Sequence, residues 1–153
     1  MRGFEKVSKE EYGKYGIFFD DIIIPKRATA NSAGYDFYLP CEMRIEPGQV
    51  LRIATGIKAY MESDEVLLLF VRSSVGFSGL RLKNQVGVID SDYYNNPKNE
   101  GHILIVLENT DSEVFTLKKG DRFVQGIFLK YLLSENEEKP KDERIGGLGS
   151  TTK

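Results

Sequence analysis

The residues best equipped for chemistry stand together in the run Gly87-Val88-Ile89-Asp90-Ser91-Asp92-Tyr93. The apolar stretch 86–89 reads as a short buried strand that delivers a carboxylate, Asp90, at its end. Gly87 leaves backbone open to close approach, Asp90 supplies a base, and Tyr93 offers a flat wall. The same run also describes an ordinary turn, because Asp and Asn initiate turns through their own side chains. A second group is Arg144-Ile145-Gly146-Gly147-Leu148-Gly149-Ser150-Thr151-Thr152. Glycines beside one arginine and three hydroxyls can order around a phosphate, through backbone N–H groups and a cation. A frayed polar terminus has the same composition.

Other chemistries are narrowed by scarcity. One histidine and one cysteine cannot build a Cys/His zinc site. A Ser-His-Asp triad would rest entirely on His102. Catalysis therefore falls to carboxylates, arginines, backbone amides and a hard metal ion. Lone Cys41 has no internal disulfide partner, which fits a reducing cytosol and a small buried hydrophobe. A net charge of −2 gives no concentrated basic face for nucleic acid. No apolar run reaches membrane-span length, and residues 1–16 lack the form of a signal peptide. The expected location is cytoplasmic.

The elements that must position these residues are short strands within about one domain. Ser8-Lys9-Glu10-Glu11 is a capping-box pattern that opens a short helix. Residues 17–24 read as a strand stopped by Pro25, 27–36 as a loop, and 37–39 as an extended piece stopped by Pro40. Glu46-Pro47-Gly48 is a turn, and 50–53 and 57–61 flank Ala54-Thr55-Gly56 like hairpin arms. The run 66–71 reads as a strand buried on both faces, and Ser73 or Ser74 caps a brief helix after it. Further strands fall at 103–107, 114–117 and 123–133, with the turn Lys118-Lys119-Gly120-Asp121 before the last. Many short strands with few helix signals predict an all-β sandwich or barrel. Residues 1–133 form this β domain, the polar stretch 134–143 is a flexible linker, and 144–153 is a glycine-rich tail.

Set together, these fragments resemble one family, the trimeric deoxyuridine triphosphate nucleotidohydrolases or dUTPases. Five motifs carry the resemblance in the family's order: Ala33-Gly34-Tyr35-Asp36; Arg72-Ser73-Ser74; Asn84-Gln85-Val86-Gly87-Val88-Ile89-Asp90-Ser91-Asp92-Tyr93; Gly120-Asp121-Arg122-Phe123-Val124-Gln125; and the tail from Arg144 through Gly149-Ser150-Thr151. The resemblance implies a distorted jelly-roll or β-barrel fold with at most one or two short helices. It implies a homotrimer in which three subunits build each active site and the tail closes over bound nucleotide.

The implied reaction is hydrolysis of dUTP to dUMP and pyrophosphate, limiting uracil in DNA and supplying dUMP for thymidylate synthesis. By resemblance Asp90 is the general base, and Tyr93 packs on the deoxyribose and leaves no room for a 2′-hydroxyl. Asn84 and the backbone of Gly87, Val88 and Ile89 read uracil and sugar, with backbone near Leu104 adding to them. Arg72, Ser73, Ser74 and Gln125 contact the phosphates, while Arg144, Gly149, Ser150 and Thr151 belong to the tail's grip. Mg²⁺ rides mainly on the triphosphate, with Asp36 reaching it through water.

Three features depart from the family pattern. Leu148 stands where tails carry a phenylalanine that stacks on uracil; leucine covers a base without stacking. Arg144 sits one residue closer to that position than in many relatives. Residues 94–99 look like an insertion, expected to protrude as a turn beside the pocket mouth. Two rival readings share the scaffold: a dCTP deaminase, which would need a glutamate such as Glu100 or Glu108 at the base, and a non-catalytic, nucleotide-responsive regulatory module.

Overall fold

In the computed structural model, which describes residues 1–16 and 19–138, the apolar run after Asp64 becomes strand β7 (Glu65–Val71). Its side chains alternate, burying Glu65, Leu67 and Leu69 while Val66, Leu68 and Phe70 are half-buried. The expectation of burial on both faces is thus corrected to one fully buried face. On one side β7 pairs antiparallel with β12 (Arg122–Lys130), which pairs in turn with β3 (Tyr35–Tyr38). On the other side β7 pairs with β9 (Gly87–Asp90), and β2 (Lys26–Arg27) completes the far edge beside β3. A three-stranded sheet places β10 (Leu104–Asn109) between β5 (Val50–Ala54) and β8 (Leu80–Leu82). Two strand pairs complete the fold: β1 (Gly3–Lys6) with β6 (Ile57–Tyr60), and β4 (Met43–Ile45) with β11 (Phe115–Leu117).

The sheets share one core that includes Phe37, Leu39, Ile45, Leu67, Ile105, Leu107 and Phe123, each at most 2 % exposed. The all-β, jelly-roll-like class holds, with two short α-helices, but among the described residues the four sheets do not close into a barrel. Helix α1 (Lys9–Gly13) starts where the capping pattern placed it, with the Ser8 hydroxyl accepting from the Glu11 N–H at 3.0 Å. The reciprocal half of the box is made differently. Glu100 accepts from the Ser8 N–H at 2.9 Å, which leaves Glu11 to turn inward.

Four local expectations are corrected. The arms around Ala54-Thr55-Gly56 do not pair with each other; β5 joins β10 and β6 joins β1. The buried Thr55 hydroxyl donates to the Ile103 carbonyl at 2.7 Å and Gly56 takes φ 73°, so the chain passes between sheets here instead of turning back. The described part of 17–24 holds a 3-10 turn at Phe19–Asp21 and no strand, because Asp21 points out to pair with Lys119 at 2.5 Å. Helix α2 (Ser73–Gly76) has Arg72 as its N-cap and no side-chain cap, so neither serine performs that role. Cys41 is exposed: it sits in a bend between β3 and β4, where no strand periodicity turns it inward.

Candidate active site

Strand β9 is an edge strand, bonded to β7 on one side only. Its register sets Gly87 beside Leu69 and Asp90 beside Val66. A Cβ on Gly87 would come within 2.9 Å of the Leu69 Cβ, so this glycine lets the two strands close. The openness expected of Gly87 therefore faces Leu69 as well as the pocket. Approaching from the other sheet, β8 and β10 bring Leu82, Leu104 and Ile105 opposite β9. Between them lies a cavity of about 100 Å³, reached by Asn84, Val88, Ile89, Asp90 and Tyr93. That is far above the ~10–15 Å³ that holds one water, so the space suits a ring-sized ligand. The sequence brings Asn84 here through a tight connection in which Gln85 adopts φ 65°, a strained conformation that collects at functional sites.

Tyr93 ends a 3-10 turn (Ser91–Tyr93) and is 6 % exposed. Its hydroxyl donates to the His102 carbonyl at 2.8 Å and accepts from the Asn99 amide at 2.8 Å. The segment 94–99 is a turn with Asn95, Pro97 and Lys98 exposed, as expected, while Asn96 is buried against the body.

A second polar hollow, about 240 Å³, forms around Arg72, Ser73, Ser74, Gln125, Asp36, Gly34 and Ser32. Strand register places Asp36 beside Gln125. A Cβ on Gly34 would meet the Gln125 Oε1 at 2.4 Å, so Gly34 clears room for that amide. Both oxygens of buried Asp36 are engaged, with Arg72 Nε at 2.8 Å and Arg122 Nη1 at 3.2 Å. Arg122, in the same motif as Gln125, thus shares Asp36 with Arg72. The first N–H groups of a helix lack intrahelical partners, and Ser73 and Ser74 at the start of α2 line this hollow.

The two groups stand apart. Asp90 lies beside Val66 and Arg72 follows the far end of β7, a separation of about 20 Å at ~3.3 Å per strand residue. The structure gathers Asn84, Gly87, Val88, Ile89, Asp90, Tyr93 and Leu104 at one place. It gathers Asp36, Arg72, Ser73, Ser74 and Gln125 at another. Arg144, Leu148, Gly149, Ser150 and Thr151 lie outside the described residues. The remaining candidate acids and base are structural. Glu100 bonds Ser8 and Lys58, and Glu108 bonds Arg81 and Lys83. His102, fully buried, accepts from the Gly56 N–H at 2.9 Å and faces Glu11 at 3.2 Å, and burial holds its pKa below the ordinary range.

An edge strand beside a base-sized cavity, together with an arginine–serine hollow suited to phosphate, defines a nucleotide-handling β protein. The dUTPase family model matches residues 20–152. The deoxyuridine 5′-triphosphate nucleotidohydrolase of Lactococcus lactis is 47 % identical over 99 % of this chain and 97 % of its own length. A crystal structure of the Streptococcus mutans dUTPase superposes with a TM-score of 0.74 at 43 % identity, covering 88 % of this chain and 99 % of that one. The dUTPase of phage phi11 of S. aureus, solved with a structural Mg(II) ion, shares the fold at 17 % identity and TM-score 0.68, over 94 % and 99 % of the two chains. The chain belongs to the dUTPase family. It is an enzyme of dUTP hydrolysis.

Proposed function

We propose that the reaction is attack of water on the α-phosphate of dUTP, in sites completed by different copies of a homotrimer. The observation that carries this reading is the separation of Asp90 from Arg72 along β7. Reacting groups must stand about 3–3.5 Å apart, so one chain cannot bring its own base and its own phosphate hollow to one phosphorus. A second copy supplies the missing half.

In this reading uracil enters the cavity against the open edge of β9, where extended backbone of Gly87, Val88 and Ile89 pairs with the pyrimidine edge. Asn84 and backbone near Leu104 add contacts, and the Tyr93 ring packs on the deoxyribose where a 2′-hydroxyl would sit. Asp90 orients a water and takes its proton as the oxygen bonds to Pα. The Pα–O bond to the β-phosphate breaks, and pyrophosphate leaves with the electron pair. Phosphoryl transfer of this kind depends on positioning and charge stabilisation. Arg72, Gln125 and the Ser73 and Ser74 backbone of another copy supply both. Arg122 and Asp36 hold the Arg72 guanidinium in place.

Among the described residues no group of three or more carboxylate, His or Cys side chains could cage a metal. Mg²⁺ carried on the triphosphate with most of its waters kept would ask few donors of the protein. Asp36, with both oxygens on arginines, would reach that ion only through water. Bound Mg²⁺ supplies charge neutralisation at the phosphate oxygens. The segment 134–143 would act as linker for the tail 144–153, whose Arg144, Gly149, Ser150 and Thr151 would grip the phosphates while Leu148 covers the base. Closing such a tail excludes water and strengthens electrostatics. The physiological part is removal of dUTP and supply of dUMP in the cytoplasm; among the described residues no helix is long and apolar enough to cross a membrane. The deaminase reading loses support because neither Glu100 nor Glu108 lines the cavity.

The test is pyrophosphate release with Mg²⁺ and dUTP, dCTP, dTTP or UTP, with light scattering for assembly. Selective conversion of dUTP to dUMP by a trimer is expected. Deamination of dCTP, dUTP binding with no turnover (the regulatory reading) or full activity from a monomer would each overturn the proposal.

A further inference from the structure

We infer that Asn99 is a positioning residue for sugar discrimination, acting through the hydroxyl of Tyr93; this rests on the reading that Tyr93 faces the deoxyribose. A ring excludes a 2′-hydroxyl only if it cannot withdraw. Packing fixes the ring faces of a tyrosine, but rotation and sliding in the ring plane are opposed by what holds the hydroxyl.

Here the hydroxyl is held twice, by the His102 carbonyl and by the Asn99 amide, each at 2.8 Å. Asn99 is itself fixed. Its Oδ1 accepts from the Asn96 amide at 2.7 Å and from the Gly101 N–H at 3.2 Å. Asn96, 4 % exposed, returns a bond from its amide to the Tyr93 carbonyl at 2.8 Å and accepts the Lys98 and Asn99 N–H groups at 3.1 and 3.2 Å. The chain thus closes a ring of hydrogen bonds from Tyr93 through Asn96 and Asn99 back to Tyr93.

The backbone is shaped for this closure. Asn95, Glu100 and Gly101 have φ of 54°, 58° and 81°. At Gly101 a Cβ would lie 2.6 Å from the Tyr93 carbonyl oxygen, so only glycine lets the loop return so close. The His102 carbonyl is anchored from behind, since its ring is buried between Gly56 and Glu11. The segment 94–99, which departs from the family pattern, therefore braces the wall of the pocket.

The experiment measures kcat and KM for dUTP and UTP in four variants, with melting midpoints alongside. Tyr93→Ala tests the sugar reading, Asn99→Ala and Tyr93→Phe test the brace, and the Tyr93→Phe/Asn99→Ala double variant tests their coupling. Losing such a buried bond should raise the UTP-to-dUTP ratio of kcat/KM about tenfold, mainly through a lower KM for UTP. The double variant should match the single ones. A merely structural role would lower the melting midpoint and both substrates' kcat/KM together, leaving the ratio unmoved. An unchanged ratio in Tyr93→Phe, which keeps the ring and its packing, while Tyr93→Ala admits UTP, overturns the inference and spares the sugar reading. If Tyr93→Ala itself still rejects UTP, the sugar reading fails and takes the inference with it.

Discussion

The cavity beside β9 is lined mostly by apolar side chains held between two sheets, whereas the hollow at Arg72 is polar and sits where strands end. In the first, the shape is set by packing: Leu69, Leu82 and Ile105 are fixed core residues, and Gly87 admits β9 to within van der Waals distance of β7. In the second, the shape is set by charge. Asp36 is buried between two guanidiniums, and a buried carboxylate is tolerated only when paired in this way. The contrast matches the proposed substrate, whose base suits a dry slot with a few backbone partners and whose triphosphate suits cations and N–H donors. β7 separates the two regions, and the proposed association of copies is what would join them.

The largest effect is expected at the proposed base, Asp90. Asp90→Asn preserves shape and should lower kcat by about a thousandfold, within the usual range for a general base, while dUTP still binds by calorimetry. Arg72→Ala should also be inactive, but through the other region. Mixing these two inactive variants, unfolding them together and refolding gives the sharper result. If sites are shared, about one quarter should join an intact Asp90 to an intact Arg72 from different copies of the symmetric oligomer. Pyrophosphate release should then return on mixing. A mixture as inactive as its components would place base and phosphate hollow in one chain.

How much of this was legible follows the same division. The strand ending in Asp90 and the ring at Tyr93 were readable because a strand delivers side chains at fixed spacing, and the cavity gathers them in one span of sequence. The grouping of Asp36, Arg72 and Gln125 was readable only through motif resemblance. Asp36, Arg72 and Gln125 are far apart in the chain and meet through antiparallel register, which periodicity does not encode. The false hairpin at Ala54-Thr55-Gly56 has a related cause. Turn-forming residues announce a change of direction, but the partner of each arm is decided by distant strands, here β10 and β1. Cys41 was misplaced because average burial describes a residue type and not a bend after Pro40. The brace of Tyr93 was invisible for a subtler reason. Asn96 and Asn99 have the composition of an exposed loop, and only folded geometry turns their amides inward.

A smaller effect concerns the support behind Tyr93. Burial, the largest influence on His102, keeps its ring neutral, with Glu11 opposing that tendency. The unfolded chain takes up this proton near the ordinary value of 6.5, and the folded chain does so only at lower pH. Between those values the unfolded state binds more protons, so stability rises with pH across that window and is lost on acidification. The melting midpoint should therefore fall as pH is lowered from 7 to 5.5. In His102→Gln, which retains an acceptor for the Gly56 N–H, that slope should flatten. A slope unchanged by the substitution would assign the acid sensitivity to other groups.

The smallest expected change is at Tyr12, behind His102. Its ring is fully buried against the His102 ring at 6.0 Å, yet among the described residues its hydroxyl has no hydrogen-bond partner, and burial raises its pKa above the ordinary value. A buried hydroxyl without a partner loses its hydration for no return. Tyr12→Phe keeps the ring and its packing while removing the oxygen, so it should raise stability by about 1 kcal/mol, read as a higher melting midpoint. The kcat for dUTP should not change, because Tyr12 touches neither the cavity at β9 nor the hollow at Arg72. A loss of stability instead would mean that the hydroxyl is satisfied inside the fold, as by a buried water.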